Sequence, residues 1–341
     1  MKVAIVLSLT GLSLLVLAGC SGSGGAVAGN PFSGVVSKGA GVSGIPGDAY
    51  SAALSSRGSA LAFTAYDSTN PEVYNGTETE YTDNIDEEDP EDIFADGYPT
   101  HDYVRLIYDQ TMSDSAIYYT SNGYVDPEGN HFTGAGLSRL TVTGTMSAAV
   151  GLPDSGSYLC ALIQNGPLYV YSVSANQATI ELRNPTTLGV TGTRSLGSGF
   201  SFDTAIDMEA APESSNSNVI LYTLGLKDGK ARVARTSMDF SGIATSTQVE
   251  VVLPTNELPV SLAVDDQFFY VAYSNAVAHT SHIDVYSRVG AAFLTSLVNE
   301  DCQEITSIAS IHSGGNYAVY ADAREAIPSS GASVSALFKF E

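Results

Sequence analysis

Short runs of aromatic and β-branched residues recur along the chain at a nearly fixed interval. They begin at Ala60, Ala116, Leu168, Val219, Phe268 and Tyr317, and these starts lie 56, 52, 51, 49 and 49 positions apart. A second series, beginning at Ile180, Arg232, Ile283 and Val334, trails its partners by 12, 13, 15 and 17 residues. Each member of the second series alternates apolar with polar positions. Successive side chains of a strand point to opposite faces, so that alternation marks strands with one buried face. Turn-forming clusters separate the runs: Asn184-Pro185, Lys227-Asp228-Gly229 and His312-Ser313-Gly314-Gly315. Helical periodicity is scarce, and nowhere is it long and capped.

A period near fifty residues, filled with short strands and turns, predicts an all-β chain of four-stranded units, the pattern of a β-propeller. Residues 48–341 hold six such units. A seventh would need a unit drawn from the irregular stretch 67–110. The sixth unit runs out of chain at Glu341, directly after the strand 334–340, without room for an outer strand. Residues 34–38 are the candidate to supply it from the other end, which would remove two exposed sheet edges.

Two resemblances follow from the repeats themselves. The sequence Ser56-Arg57-Gly58-Ser59-Ala60-Leu61-Ala62-Phe63-Thr64-Ala65-Tyr66-Asp67, followed by Asn70-Pro71-Glu72-Val73-Tyr74, resembles the repeat of TolB-like propellers. Met112 to Tyr119 and Pro153 to Leu159 echo the same hairpin. The stretch Ile180-Glu181-Leu182-Arg183-Asn184-Pro185-Thr186-Thr187-Leu188 is closer to the YVTN-like repeats of surface propellers. These likenesses imply a fold and bring no catalytic residue with them. The TolB-like hairpin would make 158–163 a second strand, with spacings of 42 and 61. Starting that unit's second strand at Leu168 is the more even choice.

The N-terminus reads as an address. Residues 1–19 carry one Lys, then an apolar run of about 16 residues, short of the roughly 20 that span a bilayer. A positive start, an apolar centre and small residues before a cleavage point form the secretory pattern. Leu17-Ala18-Gly19-Cys20 resembles the lipobox of bacterial lipoproteins, which implies that Cys20 is lipidated and becomes the first residue of the mature chain. Ser21 resembles the sorting signal for the outer membrane. Residues 20–47 are then a Gly/Ser-rich tether, flexible by composition, unless 34–38 closes the last unit.

Composition narrows the partners. Thirty-seven acidic residues against 14 basic ones give a net charge of −23 across 341 residues, with no Trp. Such a surface repels phosphate backbones, so nucleic-acid binding is excluded, and any membrane contact has to come through the lipid. Cys160 and Cys302 fall in the third and sixth units, on opposite sides of a ring, and read as two free, buried thiols.

The densest charge lies from Glu78 to Asp102, with eleven carboxylates and no Lys or Arg. Its plain reading is a solvated acidic insertion, 78–102, between the first two units. Two other readings stay open. Asp83, Asp86, Glu87, Asp89 and Asp92 could supply oxygens to Ca²⁺, although the spacing does not fit an EF-hand loop. Glu88 and Glu91 with Phe94 and Tyr98 could dock a basic protein partner. His279 and His282 lie three apart on a loop entering a strand and read as solvent-exposed. No HExxH, CxxC or P-loop appears, nor any GxSxG. Tyr66, Tyr119, Tyr171, Tyr222, Tyr273 and Tyr320 recur once per unit and read as packing between units.

The sequence therefore predicts a lipid-anchored, extracytoplasmic propeller at the outer membrane that binds or scaffolds another envelope protein, without a cofactor unless calcium fills the acidic insertion. The alternatives are a propeller-type carbohydrate-active hydrolase or lyase, and a calcium-stabilised surface protein.

Overall fold

A computed structural model describes residues 29–32, 36–38 and, with short gaps at several connections and a long one at 85–106, residues 53–341. Strand β1 (Val36–Lys38) precedes a first sheet of β2 (Ala53–Arg57), β3 (Ala60–Tyr66), β4 (Pro71–Thr77) and β5 (Tyr81–Asn84). Sheet two holds β6 (Ile107–Asp109), β7 (Ala116–Val125), β8 (His131–Thr141) and β9 (Met146–Gly151). In sheet three are β10 (Tyr158–Leu162), β11 (Leu168–Ser174), β12 (Gln177–Arg183) and β13 (Val190–Gly197). Sheet four comprises β14 (Thr204–Pro212), β15 (Val219–Lys227), β16 (Lys230–Met238) and β17 (Ile243–Glu250). Next come β18 (Leu258–Val264), β19 (Phe268–Asn275), β20 (Thr280–Ser287) and β21 (Phe293–Val298) of sheet five. Sheet six contains β22 (Gln303–Ser313), β23 (Asn316–Ala326) and β24 (Ser333–Phe340), and takes β1 as its fourth strand.

In each of these six four-stranded sheets neighbouring strands pair antiparallel, and in the first five the strands follow chain order. The six aromatic runs of the fifty-residue period are the six second strands, and Leu168–Ser174 takes that place in sheet three while Tyr158–Leu162 is its first strand. The reason is burial on both faces. In β19, Phe269, Val271 and Tyr273 join the core shared with sheet four, whereas Phe268, Tyr270 and Ala272 join the core shared with sheet six. Equivalent cores lie between sheets two and three and between sheets three and four. Each large side chain buried in them contributes roughly 1.5–3 kcal/mol.

First strands of successive sheets lie side by side from β2 through β6, β10, β14, β18 and β22, and β22 also lies against β2. Every first strand runs from one edge of its sheet, here the leading edge, to the opposite, trailing edge. Links between sheets and the turns between second and third strands therefore share the leading edge. Val36 pairs with Phe340, the last residue of β24, so β1 begins at the trailing edge. Just before it, Phe32 is buried in the core between sheets five and six, edge-on to the Tyr270 ring at 6.0 Å.

Candidate functional site

Two buried polar side chains, Asp207 and Ser261, tie the first strands of sheets four, five and six together. Asp207 Oδ2 accepts hydrogen bonds from Ser261 Oγ at 2.9 Å and from the Leu262 amide at 2.7 Å. Ser261 Oγ in turn accepts from the Ile308 amide at 3.1 Å. Register shifts fall at Ala205/Asp207, Pro259/Ser261 and Ile305/Ser307, one in each of these strands. A bulge of this kind re-aims a side chain, and here it turns Asp207 and Ser261 toward the neighbouring strand. The residue after each bulge, Asp207, Ser261 and Ser307, is buried, so the network holds sheets together.

The leading edge of sheet five gathers more reactive groups. Glu257 directly precedes β18, and His282, Asp284 and Tyr286 follow one another at every second position of β20. The period of two puts those three on one face. His282 Nδ1 lies 3.1 Å from Glu257 Oε2, and its Nε2 lies 3.4 Å from Asp284 Oδ1. Asp284 also accepts from Ser296 Oγ at 2.5 Å and from the Tyr286 hydroxyl at 3.4 Å. Tyr273, the register partner of His282, stacks on the imidazole at 4.8 Å. Burial pushes the Tyr273 and Tyr286 hydroxyls well above the ordinary phenol range, and the Asp284 carboxylate adds to the shift in both. The imidazole of His282 is thus set between two carboxylates close to solvent.

Beside it, the turn between β19 and β20 is pinned by Asn275 Oδ1, which accepts from the amides of Val277 and Ala278 at 3.1 and 3.0 Å. His279 sits there with a φ of 52° and bonds through Nδ1 to Glu304 Oε1 at 2.5 Å. Both histidines were expected in solvent. His279 is, but His282 lies within β20 with its side chain 15% exposed.

At the trailing edge, the Arg288 guanidinium is a staple. It donates to Tyr222 Oη at 3.1 Å, to the carbonyls of Asp265 and Asp266 at 2.8 and 3.1 Å, and to the Pro212 carbonyl at 2.6 Å. Nearby, Tyr270 donates a short hydrogen bond to Asp265, and His312 pairs with Asp266 at 2.9 Å while stacking on Tyr317.

Most residues singled out from sequence fall elsewhere. Asp83 lies in β5, its backbone paired with Asn75. Cys20, Asp86, Glu87, Glu88, Asp89, Glu91, Asp92, Phe94 and Tyr98 lie outside the described residues. Among the described residues, no group of three or more His, Cys, Asp or Glu side chains is placed to hold a metal ion. Cys160 and Cys302 are free and buried, and burial pushes the Cys302 thiol up to about 12. The recurring tyrosines are not one equivalent position. Tyr171 and Tyr222 face the following sheet, and Tyr273 faces the preceding one. In sheet two the buried ring described is Tyr118, which takes a hydrogen bond from Arg139.

Sheets of four antiparallel strands, repeated along the chain and packed face to face, place the chain among all-β proteins of β-propeller organisation. No family model matches the sequence, and no curated protein matches it. Among solved structures it is similar to a nidogen/laminin complex, at 10% identity and a TM-score of 0.45 over 80% of this chain and 85% of that one. It is also similar to the Dos1 propeller, at 8% identity and a TM-score of 0.42 over 82% and 67% of the two chains. A bifunctional GH43-CE protein of Bacteroides eggerthii matches at 11% identity and a TM-score of 0.45, over 77% of this chain and 36% of its own.

Proposed function

We propose that the chain is a closed six-bladed β-propeller, lipid-anchored through Cys20 at the outer membrane, that acts as a protein-binding or scaffold module of the bacterial envelope. The observation that carries this reading is the N-terminal arm. Phe32 is buried between sheets five and six, and β1 fills the fourth place of the last sheet. The free tether therefore shrinks to the residues between Cys20 and Phe32, which reach at most about 40 Å when extended. A rigid ring held that close to a membrane presents its broad edges to neighbouring envelope proteins. The net charge of −23 favours basic partners and a salt-dependent association. Labelling cells with an alkyne fatty acid should mark the protein and leave Cys20→Ser unmarked. Crosslinking of intact cells should then capture one or two envelope proteins in stoichiometric yield. Absence of both label and partner overturns the reading.

A second reading, a carbohydrate-active hydrolase or lyase, draws support from the Glu257–His282–Asp284 chain, which sets two carboxylates about one imidazole near solvent. Turnover of an envelope glycan, abolished in Glu257→Gln and Asp284→Asn, would establish it. Calcium at Asp83, Asp86, Glu87, Asp89 and Asp92 is tested by melting with and without EDTA, and an unchanged midpoint removes it.

A further inference from the structure

Seven large apolar side chains stand exposed among the described residues. Two of them lean on aromatic neighbours: Phe132 is stacked on Tyr124 and Phe293 sits edge-on to Tyr286. Three others share the leading edge of sheet five, namely Leu258 at 57% exposure, Val277 at 93% and Val298 at 61%. Leu258 opens the first strand, Val277 caps the turn between the second and third, and Val298 closes the fourth. At roughly 4.8 Å per strand their backbone positions span about 14 Å of this edge. The register sets Leu258 opposite Ser274 and Val298 opposite His282, so these two side chains leave opposite faces and straddle the end of the sheet. Single exposed apolar residues need no explanation, but three gathered at one sheet edge do. The turn beneath Val277 is fixed by Asn275, so this residue is presented rigidly.

Acidic groups flank these three. Glu300 and Asp301 are exposed in the link to sheet six, where Asn299 Oδ1 holds the Asp301 amide at 2.8 Å. Glu257 and Glu304 border it more deeply, each engaged with a histidine, His282 and His279. No Lys or Arg lies within 257–287 or 293–304, the segments that build this edge. Apolar contact framed by negative charge selects a segment in which apolar and basic side chains alternate.

We infer that the leading edge of sheet five, centred on Leu258, Val277 and Val298, is the contact surface for a basic, partly apolar segment of a protein partner. This inference rests on the protein-binding reading and adds its location. β1 begins at the trailing edge, so the lipid anchor enters from the opposite side and leaves this surface open.

The test uses the detergent-solubilised full chain and a fluorescent peptide of alternating Leu and Lys, with a Leu/Glu peptide as control, read by anisotropy at low and at near-physiological salt. The Leu/Lys peptide should bind and the Leu/Glu peptide should not. Joint substitution of Leu258→Ser, Val277→Ser and Val298→Ser should weaken binding by about tenfold or more. Glu300→Gln with Asp301→Asn should flatten its salt dependence. The set Val190→Ser, Val289→Ser and Phe293→Ser, exposed at the trailing edge, should leave binding unchanged, and thermal melts verify that every variant is folded. Failure of the Leu/Lys peptide to bind, or equal binding by the leading-edge variant, overturns the inference. In cells the two levels separate. A partner still crosslinked by the leading-edge variant removes this surface and keeps the protein-binding reading, whereas no partner for the unaltered chain removes the reading itself.

Discussion

Asp207 accepts two hydrogen bonds while fully buried, and removing one partner of a buried hydrogen bond strands the other at a cost of about 1–3 kcal/mol. Asp207→Ala should therefore lower stability by about 3 kcal/mol in urea denaturation; a loss under about 0.5 kcal/mol, the scale of ordinary surface substitutions, would mean that the bridge between first strands is unimportant. Ionisation gives a second handle. Burial raises the Tyr169 and Tyr171 hydroxyls and the Cys302 thiol to about 12, from ordinary values of 10.0 and 9.0. Raised folded values mean that the unfolded chain loses these protons first, so stability is intact below the unfolded values and is lost as pH climbs through the folded ones. The urea midpoint should hold to pH 9.0 and decline toward 12, with a shallower decline between 9.0 and 10.0 in Cys302→Ala. A midpoint that is flat over this range would contradict the burial of these groups. Little of this was legible residue by residue. The tyrosine at each repeat looks equivalent in the sequence, yet the face it takes depends on the register of its strand, as Tyr222 and Tyr273 demonstrate by facing each other's sheets. The Glu257–His282 pair is hidden for another reason: its members are 25 positions apart and meet only when β18 and β20 enter one sheet.

Among the elements, second strands were the easiest to see because cores on both faces demand unbroken apolar runs. First strands are interrupted by the polar residues that bridge sheets, as in Leu258-Pro259-Val260-Ser261, and fourth strands such as Val190–Gly197 are largely exposed and polar. The structure pairs Val36–Lys38, within the candidate stretch 34–38, with β24. Two substitutions probe packing between elements. A Cβ at Gly225 in β15 would lie 2.4 Å from Phe202 Cγ and 2.7 Å from the Thr204 carbonyl oxygen. Backbone on one side and a buried ring on the other leave no room, so Gly225→Ala should cost about 2 kcal/mol, read from the urea midpoint. Phe32→Ala removes the ring that docks the N-terminal arm and should cost about 3 kcal/mol. It should also speed proteolytic cleavage ahead of β1, and an unchanged cleavage rate would mean that the arm is held by other contacts.

For the molecule as a whole, the sheets meet through their first strands, and the last one is completed by residues from the far end of the chain. The proposed ring needs no further covalent tie, which agrees with two free thiols, but its integrity then depends on a three-residue strand. With the proposed anchor at Cys20, the same strand governs how the protein hangs from its lipid, because it sets where the tether ends and which edge faces the membrane. Ser37 and Lys339 are direct partners across β1 and β24, and Cα atoms opposite one another in an antiparallel pair lie within the span a disulfide bridges. The most direct measurement is therefore the oxidation of a Ser37→Cys, Lys339→Cys variant, followed by non-reducing electrophoresis and peptide mass analysis. An intrachain disulfide between the two introduced cysteines in near-quantitative yield, with a raised melting temperature, is the predicted result. Free thiols or disulfide-linked dimers in a folded protein would contradict closure by the N-terminal strand.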